Sequence, residues 1–213
     1  MMREPAPDAF RVSFTGHRPA KGIYGYAEHD RWAGLADAIE EALRTLMPFD
    51  GRPMDVVTGG AQGVDQVAFW AARRLREEGL PVRLVVCEPY GGFGGIWIDD
   101  GGDFTPKRYA RLLAEADEIV RCHPETPMKH EIGRLLQARN EEMLDRSDVL
   151  IAVTSMGPND MPRRGSGTAN AMRSAMRRGM AVLRMDPYRL GDGLEVISAG
   201  EGAEDAPQGL LIP

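Results

Sequence analysis

Apolar residues along this chain fall into short β-branched runs that alternate with longer stretches of helical period. The clearest case begins at Asp55. There Val56-Val57-Thr58 runs into Gly59-Gly60 and Gly63, and Val64, Val67, Ala68, Ala71, Ala72 and Leu75 then recur along one helix face. Strand, glycine turn and helix are predicted in that order, the helix ending near Gly79, which suits a C-cap. Residues 10–15 predict an earlier strand that ends in Gly16-His17-Arg18-Pro19. A helix over about 28–47 follows, with Trp32, Leu35, Ala36, Ile39, Leu43 and Leu46 on its buried stripe and Pro48 as its stop. Further strands are predicted over 82–87, 117–122, 148–154 and 181–185, with helices over 107–115, about 129–146, and from Ala169 through Met172, Ala175 and Met176 to Gly179. Residues 1–9 read as a flexible arm and 186–213 as a Gly/Pro-rich tail, whose short apolar run Leu194-Glu195-Val196-Ile197 the pattern leaves unplaced.

Strands alternating with helices imply right-handed crossovers and a mostly parallel sheet of about six strands, an α/β domain over residues 10–185. Ligands in such sheets sit beyond the carboxyl ends of the strands. That rule gathers Gly16-His17-Arg18, the turn carrying Gly59, Gly60, Gln62 and Gly63, and the turn Ser166-Gly167-Thr168 on one rim. Glycines at the mouth of a helix let the backbone approach a ligand, and the first N–H groups of a helix attract an anion, most naturally a phosphate. The plainer alternative is that the glycines only make tight turns and that Asp65 only caps its helix.

The helix over 129–146 breaks its own pattern. Ile132, Leu135, Leu136 and Met143 mark an apolar stripe, yet Arg139 falls on it with Asn140 beside it. A buried guanidinium requires an anion, so either a protein carboxylate or a ligand phosphate or carboxylate is expected against Arg139. His17 and Arg18 are candidates for ribose or a second phosphate; alternatively His17 fixes its own loop and Arg18 pairs with Asp99 or Asp103. The glycine-rich loop over 88–105 carries Trp97, which, like Tyr24, is either a stacking platform for a base or part of the core.

Charge narrows the partners. The 213 residues have a net charge of −6 and a sequence pI of about 5.3, which speaks against a broad nucleic-acid surface and leaves room for a local cationic pocket. The two cysteines, Cys87 and Cys122, suggest buried free thiols in a reducing cytoplasm, and no membrane-spanning run or metal-ligand spacing is present in the sequence. Neither a cofactor nor a metal is expected.

Four motifs carry a family resemblance. Phe14-Thr15-Gly16-His17-Arg18-Pro19, Thr58-Gly59-Gly60-Ala61-Gln62-Gly63-Val64-Asp65, Arg139-Asn140-Glu141-Glu142-Met143 and Gly165-Ser166-Gly167-Thr168-Ala169-Asn170-Ala171 resemble the YpsA-type branch of the SLOG superfamily, relatives of the DprA and Lonely-guy proteins. The resemblance implies a Rossmann-like three-layer sandwich, a nucleotide or nucleotide-derived ligand such as an ADP-ribose species, and a homodimer. The Lonely-guy enzymes hydrolyse the N-glycosidic bond of nucleoside 5′-monophosphates with an Arg, matched by Arg139, and a Glu whose position is held here by Ala171. Hydrolysis would therefore fall to Asp65 as the stand-in carboxylate, with Arg139 on the phosphate. Binding or sensing of the nucleotide is the leading expectation, the glycosidase the second, and DprA-like binding of single-stranded DNA, supported only by arginine groups such as Arg73-Arg74-Arg76, the third.

Overall fold

The computed structural model describes residues 8–97, 102–157, 160 and 166–198. Seven strands form one sheet. They are β1 (Phe10–Gly16), β2 (Met54–Thr58), β3 (Val82–Glu88), β4 (Glu118–Arg121), β5 (Val149–Val153), β6 (Ala181–Met185) and β7 (Leu194–Ser198), in the spatial order β4-β3-β2-β1-β5-β6-β7. The first six are parallel. β7 is the strand beyond the expected six. It is the run Leu194–Ile197 that periodicity could not place, and it pairs antiparallel with β6, Met185 facing Leu194. Five residues are too few for a two-residue period to stand out.

The helices are α1 (His29–Leu46), α2 (Val64–Glu77), α3 (Pro106–Glu115), α4 (Ile132–Asp145) and α5 (Gly167–Arg177). α1, α2 and α3 pack in succession, and α4 packs on α5. Local chemistry sets several of their ends. Thr105 caps α3 by accepting the Arg108 N–H at 3.1 Å, with Pro106 at the first position, and Ser166 caps α5 by accepting from Ala169. Strands β2, β3 and β5 are buried along their whole length, as a sheet covered on both faces requires. Arg83 of β3 meets buried Asp55 of β2 at 3.1 Å. The architecture is a Rossmann-like α/β fold. Among the described residues, no helix is long and apolar enough to cross a membrane.

Chain direction along the sheet reverses between β1 and β5: β1 to β4 step one way, and β5 to β7 step the other. The two loops that leave the carboxyl ends of β1 and β5 diverge there and open a crevice, the usual seat of a ligand in open parallel sheets.

Candidate functional site

A cavity of about 470 Å³ occupies that crevice, within the size range of small-molecule sites. β1 contributes Phe14, Thr15 and Gly16 to its wall, and the loop that follows contributes His17, Arg18 and Lys21. From the opposite side come Met156, after β5, and Ser166, Gly167 and Thr168 at the start of α5. Arg139 and Asn140 of α4 and Asp65 of α2 complete the polar lining, with Phe93, Leu136 and Met143 as apolar wall.

The β1 loop is held in shape by its own contacts. Tyr24 donates its hydroxyl to the Pro187 carbonyl, Trp32 donates Nε1–H to the Gly25 carbonyl at 2.9 Å, and Ala20 takes a left-handed φ of 59° next to Lys21, which lines the cavity. Tyr24 is therefore core, 3% exposed and edge-on to Trp32, and is not a platform for a base. Trp97 likewise packs on Phe93 and Tyr109 and does not line the cavity; Phe93 is the aromatic that does.

Arg139 meets its anion inside the protein. Its Nη1 donates to Asp65 Oδ2 at 2.9 Å, both side chains are about nine-tenths buried, and Asp65 Oδ2 also accepts the Ala61 N–H at 3.3 Å. The salt-bridge alternative thus describes the partner, and the cavity reading describes the place, because both members of the pair line the wall. Among the described residues, Arg139 Nε is buried with no hydrogen-bond partner. Burial pushes the Asp65 carboxyl above its ordinary value, against the opposing pull of Arg139. Burial also lowers the His17 imidazole, so His17 favours its neutral form. Among the described residues, Arg18, Lys21 and Arg139 against the one carboxylate of Asp65 leave the lining with an excess of positive charge. Among the described residues, the side chains of His17, Arg18, Lys21, Asn140 and Thr168 make no hydrogen bond or ion pair. Asp103 is occupied by Arg108 at 2.5 Å and His29 at 2.7 Å, so it is not a partner of Arg18, and Asp99 lies outside the described residues.

Eight of the twelve expected ligand residues share this wall: Gly16, His17, Arg18, Arg139, Asn140, Ser166, Gly167 and Thr168. Gly59, Gly60, Gln62 and Gly63 do not. A Cβ on Gly59 would overlap the Arg139 guanidinium, one on Gly60 would lie 2.9 Å from the Tyr109 ring, and one on Gly63 would lie 2.6 Å from the His17 carbonyl oxygen. Gln62 is spent on the Phe104 carbonyl at 2.8 Å and the Tyr26 hydroxyl at 3.1 Å. The glycine turn is thus small to admit protein, and the first residues of α5 line the cavity. Lys21, Phe93 and Met156 line the cavity without having been expected. A lysine three residues past Arg18 in the same loop was the one readable sign, and the other two arrive by loop folding.

Ala171 is 3% exposed within the apolar cluster under α5, so the position matched to a catalytic Glu is absent from the lining. Arg73 pairs with Glu77 and Glu115, Arg74 with Asp37, Arg76 with Asp117 and Arg178 with Glu141 and Asp145. Arg163 and Arg164 lie outside the described residues. Cys87 is buried, its thiol pushed up to about 12, and Cys122 is half-buried. Among the described residues, no three His, Cys, Asp or Glu side chains gather as a metal site.

Comparison with known proteins places these features in context. Residues 12–190 match the family described as the YspA SLOG family. The SPbeta prophage-derived protein YoqJ of Bacillus subtilis strain 168 is 30% identical over 105 residues, which span 46% of this chain and 58% of YoqJ. The DNA processing protein A of Streptococcus pneumoniae superposes with a TM-score of 0.52 at 17% identity, over 83% of this chain and 50% of that one, a likeness of fold.

Proposed function

The chain belongs to the YspA SLOG family, and on that footing we propose that it binds a nucleotide or nucleotide-derived ligand in the cavity between β1 and β5. The observation that carries the reading is a coincidence of place. The sheet's reversal point, the start of α5 at Ser166-Gly167-Thr168 and the cations Arg18, Lys21 and Arg139 all meet in one hollow. A phosphate there would receive the α5 N–H groups and the free donors of Arg18, Lys21 and Asn140, while Phe93 offers an apolar wall for a base. Gly167 has open space where a side chain would begin, its nearest neighbour being Asn140 Nδ2 at 3.9 Å. The proposal keeps the expectations of a homodimer and of a cytoplasmic setting.

Isothermal calorimetry with AMP, ADP-ribose, NAD and cyclic ADP-ribose isomers tests it. At least one is expected to bind, and to bind about tenfold or more weakly to Arg18→Ala, which removes a cation without disturbing any ion pair of the described residues. No heat with any of them at millimolar concentration overturns the proposal.

The presence of Asp65 in the lining supports a second reading, an N-glycosidase acting on nucleoside 5′-monophosphates. Asp65 would then stabilise positive charge developing at C1′, but its pairing with Arg139 already neutralises much of that charge, so binding remains the preferred reading. Release of free base from AMP that disappears in Asp65→Asn would favour the enzyme. A third reading, binding of single-stranded DNA, would draw on arginines that are mostly paired to neighbouring acids.

A further inference from the structure

Nearly every charged group in the cavity is a cation, and one is not. Arg18, Lys21 and Arg139 offer N–H groups, and the α5 start adds backbone N–H groups, whereas Asp65 is the one carboxylate among the described lining residues. Its two oxygens are used unequally. Oδ2 takes both the Arg139 Nη1–H at 2.9 Å and the Ala61 N–H at 3.3 Å. Oδ1 takes no hydrogen bond among the described residues, yet it is not among the buried atoms left without partners, as Arg139 Nε is. It therefore opens on the cavity that Asp65 lines. A guest that brought only anionic oxygens would satisfy the cations and set a negative charge against this oxygen. A guest that also brings an O–H satisfies both.

We infer that Asp65 is a specificity-determining residue, which makes the cavity select a phosphate ester whose sugar carries a free hydroxyl over the deoxy analogue and over inorganic phosphate. The inference rests on the proposed nucleotide site and adds which part of the ligand is read. Buried polar groups built to receive a hydroxyl discriminate strongly against the analogue that lacks it, because the acceptor is then left without a partner. The same carboxylate holds Arg139, so recognition of the hydroxyl and placement of the cation depend on one side chain.

Calorimetry of the full chain with AMP, 2′-deoxy-AMP, 3′-deoxy-AMP and inorganic phosphate tests this. For the wild type, AMP is expected to bind about tenfold or more tightly than at least one deoxy analogue. In Asp65→Asn, shown to be folded by circular dichroism, that ratio is expected to fall to about threefold or less, with inorganic phosphate bound no more weakly than before. Equal affinity of the wild type for all three nucleotides overturns the inference and leaves the nucleotide site standing; this arm needs no variant. Discrimination that persists in folded Asp65→Asn assigns it to another group and overturns the inference as well. Absence of binding by all three nucleotides removes the inference together with the site beneath it.

Discussion

Replacing Gly59 with alanine isolates the packing on which the candidate site is built. Gly59 does not adopt a left-handed φ, so an alanine there brings no backbone strain. What it brings is a methyl group that overlaps the Arg139 guanidinium and lies 2.7 Å from Asp65 Oδ2. Non-bonded carbon needs about 3.5 Å from its neighbours, so the guanidinium has to leave its seat. Both partners of the displaced ion pair are about nine-tenths buried, so little solvent screening discounts the loss. Stranding one member of a buried pair costs about 3–5 kcal/mol, and overpacking alone about 1–3 kcal/mol. Because Arg139 can retreat into the cavity it lines, the lower part of these ranges applies, and about 3 kcal/mol is expected for Gly59→Ala. Urea unfolding with the slope held constant measures it. Gly133→Ala, on α4 with nothing within 4 Å of the added carbon, serves as control and should be neutral or stabilising by up to about 1 kcal/mol. In an Arg139→Ala background the Gly59→Ala penalty should fall to about half or less, since the guanidinium is gone and only the 2.7 Å approach to Asp65 Oδ2 remains. A Gly59→Ala protein as stable as wild type, or an equal penalty with and without Arg139, would refute the packing argument.

Other consequences concern titration and the support of the loops. The folded-state pKa of His17 is lowered below 6.5 by burial, so its stabilising contribution is present above about 6.5 and is lost as the pH falls through the lower folded value. His17→Gln should flatten that part of the stability profile in urea unfolding, and NMR titration of the ring should show its pKa rising when phosphate or a nucleotide is added. Tyr109 donates to buried Glu88 at 2.7 Å, and burial beside that carboxylate holds its phenol far above the ordinary range. Tyr109→Phe should cost about 1.5–3 kcal/mol, and the wild-type ultraviolet titration should show a tyrosine that stays protonated through pH 11.

Much of the fold was legible because its two periods are strong. Val56-Val57-Thr58 and the stripe from Val64 to Leu75 announce β2 and α2, and their alternation with like units implies the parallel sheet. Arg139 stood out for a physical reason as well: an ionised group on an apolar stripe needs a counterion. The identity of that counterion was out of reach, because Asp65 lies 74 positions away on another helix and no period in the sequence links the two. The glycine turn shows where the sequence alone stops. Sequence shows that Gly59, Gly60 and Gly63 are small, but a missing side chain looks the same whether the space goes to a phosphate or to Arg139, Tyr109 and the His17 carbonyl. Lys21, Phe93 and Met156 enter the cavity by the course of irregular loops, for which no period exists.

The account's central claim is that a phosphorylated guest sits between the β1 loop and the start of α5. Amide NMR of the 15N-labelled protein titrated with AMP and with ADP-ribose tests that claim most directly. Saturable shifts at Gly16, His17, Arg18, Gly167, Thr168 and Ala169, with Gly79 and Gly133 unmoved, are the predicted result. Shifts confined to other surfaces, or none at millimolar ligand, would contradict it.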